Sequence, residues 1–479
     1  NDNAFGGSDT LRITGTYENY LSPTTNLVAT LTTTSPYINI QMGSITLGAL
    51  GTLGTGNNNT NPFMAKLIGN PPINQEVDFE ITFTDGTYTS SEWFSVLINV
   101  DYINIAVNDI GTTITSKSLI GFNDNPAQTQ GLGFQYQTYG NLMYEGGLMV
   151  GVSGSQVSDN VRNTATPSAA FTDVQRVQQI IPAVISNFDA TGIFSDANAT
   201  SPLPISVRQN DYAWTTPGNL KYVILEYYIR NTGTSTLSNL YAGIFADYDI
   251  TASTASSNKD DFDATNKMGY AYYTGTPSLY AGTKLLTSSA PVVHYAIDNI
   301  TGGGGGVDIS SAYSDVSKYT TLSTNRAHAG GVGTGNDVCD VTSSGPFTIP
   351  AGDSIKVAFA LIAGDNLSDL QTSAVNAQAT YNGILTVIND KPAPFASMET
   401  YPNPANGSTT LDLSITADMK GDLGIFDVTG KCVATLFNGE LKAGAHRFNV
   451  DLSAYAEGVY VYKLVSNKGV MSKRLVITK

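Results

Sequence analysis

Apolar and polar residues alternate in steps of two wherever the chain is regular. Val77, Phe79, Ile81 and Phe83 fall on one side and Asp78, Glu80, Thr82 and Thr84 on the other, the pattern of a strand with one face buried. The Asp85-Gly86 step that follows is a hairpin signal, and Trp93 to Val100 reads as the returning strand. With earlier runs at Leu11 to Thr14, Leu27 to Thr32, Tyr37 to Gln41 and Ile45 to Leu50, residues 1–105 approach seven short strands. That count predicts an immunoglobulin-like sandwich.

From about 106 to 390 the texture persists, but Tyr222 to Ile229, Leu240 to Asp247 and Ile355 to Ile362 are apolar along most of their length. Such strands imply burial on both faces, which suits a larger, jelly-roll-like sandwich. One helix is predicted after Asp365, where Ser368 and Gln371 read as a capping box and Leu370, Ala374, Ala377 and Tyr381 share a face. The run Gly302 to Gly306 lacks the Gly-Lys-Ser/Thr of a phosphate loop and reads as a flexible loop. Residues 391–398, with Pro392 and Pro394, break both periods and read as a stiff linker. Residues 399–479 return to short strands, punctuated at Asp427 to Gly430, Asn438-Gly439, Ala443-Gly444 and Glu457-Gly458. The expected fold class is all-β: tandem β-sandwiches, immunoglobulin-like and jelly-roll-like, with a small C-terminal β-sandwich.

Composition narrows the function. Only 13% of residues are charged, against about 25% in an average soluble protein, and Gly, Tyr, Thr, Ser and Asn supply the surface instead. Residues 399–479 hold 9 basic and 8 acidic side chains, leaving 15 and 32 upstream. An acidic body is a poor binder of polyanions, whose phosphates need clustered Lys and Arg, so nucleic acid is excluded as a partner. Cys339 and Cys432 match no Cys-x-x-Cys spacing, so neither a cysteine zinc site nor a disulfide framework is indicated. No apolar run is long enough for a transmembrane helix. The chain opens at Asn1, with neither Met nor a basic-plus-apolar leader, and the expectation is that something was removed upstream.

The closing segment carries four phrases in order: Tyr401-Pro402-Asn403-Pro404, Ile425 to Gly430 and Lys431, Gly458-Val-Tyr460-Val-Tyr-Lys463, and Lys473-Arg474 through Lys479. Residues 399–479 resemble the type A sorting domains of type IX secretion cargo over essentially their whole length. The resemblance implies export through the type IX translocon, handover to an outer-membrane β-barrel shuttle protein, removal of the domain by a sortase, and a secreted or surface location in a Gram-negative bacterium. Prolines that deny donors fit an extended approach to the domain, and a basic last strand fits an edge offered for recognition. More loosely, Leu240 to Ile250, Tyr295 to Asn299 and Ala358 to Asp365 resemble the non-catalytic modules that follow the protease domain in secreted subtilisin-like proteins. That resemblance implies an alternative role as the accessory part of such a protease.

Candidate chemistry is sparse. The subtilisin nucleophile phrase is absent, and Gly151-Val-Ser-Gly-Ser155 misses Gly-x-Ser-x-Gly at its last position. His294 in an apolar run, His328 beside Arg326 and His446 in the terminal segment all read as structural. No pair of acids stands out for glycoside hydrolysis. One acidic constellation invites a metal: Asp247 and Asp249 end a strand, and Asn258, Asp260, Asp261 and Asp263 follow in what reads as a short loop. Six oxygen donors suit Ca²⁺ pinning that loop, although the spacing is not that of an EF-hand. The body is thus expected to be non-catalytic and adhesive, structural or self-assembling, presenting edges and tyrosine faces to glycans or other surface ligands, or to copies of itself.

Overall fold

The computed structural model describes residues 10–478 apart from 87, 165, 252, 274, 332–333, 390–395, 416–417, 428–430 and 467–468. Of the expected linker, residues 391–395, with Pro392 and Pro394, lie outside the described residues, as do Gly430 and Lys479; residues 396–398 open the strand Ala396–Tyr401 rather than continue a linker. The chain divides into two compact units, Asn1–Tyr381 and Asn382–Lys479, and it is almost entirely β.

Alternation builds the first sandwich. Strands Gln75–Asp85 and Tyr88–Ile98 pair antiparallel with Asp85 opposite Tyr88. Gly86 at the turn has φ 61°, a left-handed value that costs glycine nothing. Leu27–Thr32 and Ser44–Gly48 complete a four-stranded sheet. Thr10–Ile13, Phe63–Leu67 and Ile38–Met42 form a three-stranded sheet. Ala29 and Phe79 from the first and Phe63 from the second are wholly buried in one core.

The larger sandwich has four layers. Leu237–Asp247 runs within a nine-stranded sheet and Tyr222–Asn231 within an eight-stranded one; Val150 and Ile244 from the first meet Leu225 and Phe359 from the second in the central core. Helix α1 (Asp315–Ser323) covers the outer face of the nine-stranded sheet, where Phe245 packs with Tyr313 and Leu322. Helix α2 (Leu367–Asn389) covers the outer face of the eight-stranded sheet, with Tyr381 bonded to Glu226 and Thr380 to Tyr222. The expected apolar strands are therefore buried on both sides, as their composition requires.

Two details differ from expectation. In α2 the residues Leu370, Ala374, Ala377 and Tyr381 are all fully buried, as their spacing predicts, but the cap is Asn366, whose Oδ1 accepts from Asp369 N at 3.1 Å. The helix starts one residue before Ser368, so Gln371 is free to donate to Asp263 at 2.9 Å instead of closing a capping box. Helix α1 has no counterpart in the sequence reading. Its Ser- and Thr-rich stretch has weak intrinsic helix propensity, so packing and the Ser314 cap on Ser317 N hold it.

The terminal unit is a small β-sandwich. A three-stranded sheet of Ala396–Tyr401, Ser408–Ile415 and Gly444–Asp451 accompanies a four-stranded sheet of Cys432–Leu441, Met419–Asp427, Gly458–Ser466 and Gly469–Ile477. Leu411, Leu413, Leu423, Ile425 and Leu464 are wholly buried in its core.

Candidate functional site

The sorting phrases converge at one end of the terminal sandwich. Tyr401 to Pro404 connects the first strand to the second, but Pro402, Asn403 and Pro404 bend rather than run extended. The bend is fastened by Asn403, whose Nδ2 donates to the Arg474 carbonyl and whose Oδ1 accepts from Val476 N, both at 2.8 Å. Ala405 continues the seam: its N–H donates to the Val476 carbonyl and its carbonyl accepts from Thr478 N, both at 2.9 Å. The edge of the last strand, expected to be open, is therefore occupied from Arg474 to Thr478.

Neighbouring side chains brace this junction. The Tyr401 hydroxyl donates to Asp412 at 2.8 Å and accepts from Arg447 at 2.7 Å, while Arg447 also holds both Asp412 oxygens at 2.6 and 2.7 Å. Those guanidinium bonds, with the Tyr401 hydroxyl second, bring Asp412 down to about 2. Lys473 reaches Glu399 at 3.0 Å, Lys463 lies 5.5 Å over the Phe426 ring, and Tyr460 packs against Tyr455. Gly458 begins its strand at φ 147°, and Lys431 N donates to Asp427 at 3.0 Å. Val461 is the register partner of Arg474, so Lys463 and Arg474 share one face of the sheet.

In the body, five of the six acidic and amide residues expected around one cation bond to separate partners. Asp247 is 3% exposed and paired with Arg162, which also holds Glu145 at 2.7 Å. Burial first, then the charges of Asp247 and Asp337, lifts Asp249 to about 7. Asn258 is wholly buried and accepts from Ile250 N at 2.8 Å. Asp260, Asp261 and Asp263 do not lie in a loop, as expected, but on strand Lys259–Asp263, where successive side chains point to opposite faces. Asp261 accepts from Tyr272 at 2.9 Å and meets His328, whereas Asp263 binds Asn266 at 2.7 Å and Gln371.

Among the described residues, two other groupings appear that sequence spacing does not show. Asp247, Asp337 and Cys339 lie together, as do Asp260, His294 and Asp340. Cys339 and Asp340 are neighbours on one strand, so alternation sends them to opposite faces of the nine-stranded sheet: Cys339 into the layer beneath α1, Asp340 into the space between the sheets. The first grouping already contains the Arg162 cation. The second is wholly interior: Asp260 and Asp340 are 0% and His294 1% exposed. Burial pushes both carboxyls well above their ordinary range and the imidazole down to about 4.

The N-terminal sandwich carries a surface groove of about 550 Å³, lined by Tyr17, Tyr20, Phe83 and Tyr88 together with Glu18 and Glu92. Tyr20 is 71% exposed.

Residues 399–478 match the family described as the secretion system C-terminal sorting domain. Comparison with curated proteins gives no match. Among solved structures, a polysaccharide lyase is 9% identical with a TM-score of 0.26, over 79% of this chain and 47% of the lyase. Dimeric latent PorU from Porphyromonas gingivalis is 12% identical with a TM-score of 0.15, over 85% of this chain and 32% of PorU. PorZ, a bacterial surface component of the type IX secretion system of Porphyromonas gingivalis, is 9% identical with a TM-score of 0.14, over 93% and 64%. The chain spans less than two thirds of each of these proteins, and likenesses this distant carry no argument about the body. The terminal unit thus carries, over residues 399–478, a match to a secretion-system sorting domain.

Proposed function

We propose that this protein is type IX secretion cargo, carried through the outer-membrane translocon by its terminal unit, and that its body serves at the cell surface or in the medium as a non-catalytic adhesive module. The sorting-domain match over residues 399–478 carries the export reading. The separation of the terminal unit as a compact body with its own core supports its use as a detachable address. The adhesive reading rests on the groove of the N-terminal sandwich. Aromatic rings at Tyr17, Tyr20, Phe83 and Tyr88 offer flat apolar faces beside the hydrogen-bonding Glu18 and Glu92, a combination suited to the C–H faces and hydroxyls of a glycan.

Truncation after Asn389, the end of α2, tests export. The shortened chain folds and stays soluble but does not reach the surface; surface display at the level of the full chain would sink the assignment. Binding of the purified full chain to immobilised polysaccharides tests adhesion. Tyr20→Ala with Tyr88→Ala abolishes retention, and retention unchanged by both substitutions removes the groove from the proposal.

A further inference from the structure

We propose that Asp260, His294 and Asp340 form a structural site for a transition-type divalent cation of the zinc class, clamping the two sheets of the large sandwich together. Asp260 comes from strand Lys259–Asp263 at the edge of the eight-stranded sheet, His294 from strand Val292–Asp298 at the edge of the nine-stranded sheet, and Asp340 from the adjoining strand Val338–Ile349. One ligand atom from each falls within 4.8 Å of the others. The His294 Nε2 to Asp260 Oδ1 distance is 3.0 Å, a normal separation for two atoms on one coordination polyhedron of bond length about 2.0–2.2 Å.

The observation that points to a ligand is a set of unanswered oxygens. Among the described residues no N–H or hydroxyl donor reaches either oxygen of Asp340 or Oδ2 of Asp260, although both residues are fully buried; each carboxyl has only the other within hydrogen-bonding reach of these oxygens. Interior carboxylates without donors are costly, and side chains or ordered ions normally answer them. Among the described residues no Lys or Arg forms an ion pair with Asp260 or Asp340. Arg326, the charged neighbour, is held by Asp298 at 2.6 Å and the Ala296 carbonyl at 2.8 Å, and the Tyr248 hydroxyl shares a hydrogen bond with Thr283 at 2.9 Å. A divalent ion balances the two carboxylates, and the two oxygens of Asp340 allow it to complete a fourfold set as a bidentate ligand.

The imidazole is seated as a metal ligand is seated. Its Nδ1 faces Thr342 Oγ1 at 3.3 Å, which leaves Nε2 toward the carboxylates, and the Phe262 ring stacks on it at 5.1 Å and 8°. A Cβ on Gly269 would stand 2.3 Å from Nδ1 and 2.6 Å from Thr342 Oγ1, so only glycine leaves room for the ring. The nitrogen ligand selects against calcium, which takes six to eight oxygens, and for zinc-like ions. Bonds from Asp260 to Ala329 and from Asn258 to Asn336 lay another segment along the same edge strand, so the ion is expected to enter during folding and to exchange slowly.

The experiment is metal analysis of the full chain, refolded with zinc and passed through gel filtration, with thermal melts before and after exhaustive chelation. Stoichiometric zinc that is lost only on unfolding, a lower melting temperature without it, and an absorption-edge spectrum with one imidazole and oxygen ligands are expected. The near-isosteric Asp340→Asn loses the metal and is destabilised, while Thr342→Val, which removes only the partner of Nδ1, weakens zinc affinity by roughly 10- to 100-fold. No bound zinc after refolding, together with an Asp340→Asn chain that melts higher than the parent, would overturn the proposal and show two carboxyls sharing a proton. Calcium in place of zinc overturns the assigned class.

Discussion

Asn403, inside the Tyr-Pro-Asn-Pro phrase, donates its side-chain amide to the backbone carbonyl of Arg474 at 2.8 Å, across 71 residues. The same side chain accepts from Val476 N, so one amide takes the place of a neighbouring strand for both groups. This explains physically why the opening and closing phrases of the sorting domain occur together: each supplies half of one junction. Asn403→Ala is expected to lower the stability of the terminal unit by about 1–2 kcal/mol, the worth of two hydrogen bonds at a partly exposed site. Faster hydrogen exchange at Val476 checks it; unchanged protection there contradicts it.

Arg162 holds Glu145 and Asp247, which are both nearly inaccessible to water. Removing the guanidinium leaves two interior carboxylates facing each other without a counter-charge. Arg162→Met should therefore cost roughly 3–5 kcal/mol, the range for breaking a buried ion pair from one side. Urea unfolding of the body measures it, and a loss below 1 kcal/mol, on the scale of ordinary surface pairs, would refute the burial argument.

Tyr381 donates to Glu226 at 2.9 Å, joining α2 to the middle of the eight-stranded sheet. Tyr381→Phe keeps the ring in place and removes only the hydroxyl. Hydrogen bonds to charged groups are worth about 1.5–3 kcal/mol, and a stability loss in that range is expected, with α2 exchanging its amides sooner than the strands beneath it. Uniform exchange across helix and sheet would show that the bond does not fasten the helix.

Lys284 is 3% exposed, and its ammonium donates to the Asn266 carbonyl. Burial, reinforced by Lys267 and opposed by Asp263, brings its titration down from 10.5 to about 8. The folded chain thus releases this proton earlier than the unfolded chain does, so stability rises with pH between about 8 and 10.5. Lys284→Met is expected to be more stable than the parent below pH 8, with the advantage shrinking toward pH 10.5. Melting temperatures of both chains across that window decide it, and a pH-independent difference excludes Lys284 as the source.

Periodicity made much of this protein legible in advance. The step-of-two pattern around Val77 to Phe83 and the unbroken apolar runs at Tyr222 and Leu240 encode which faces are buried, because a strand's side chains alternate whatever the strand pairs with. The four sorting phrases are contiguous in sequence and so readable without a fold. The junctions were decided only by tertiary structure. Asp260, His294 and Asp340 meet from separate strands of two sheets, Arg162 meets Asp247 across 85 residues, and Cys339 and Asp340, adjacent in sequence, face different layers. Proximity in sequence suggested a single acidic loop from Asp247 to Asp263; strand alternation distributes those residues over both sides of the sheets. Local pattern fixes which way a side chain faces, but only the pairing of distant strands fixes what it faces.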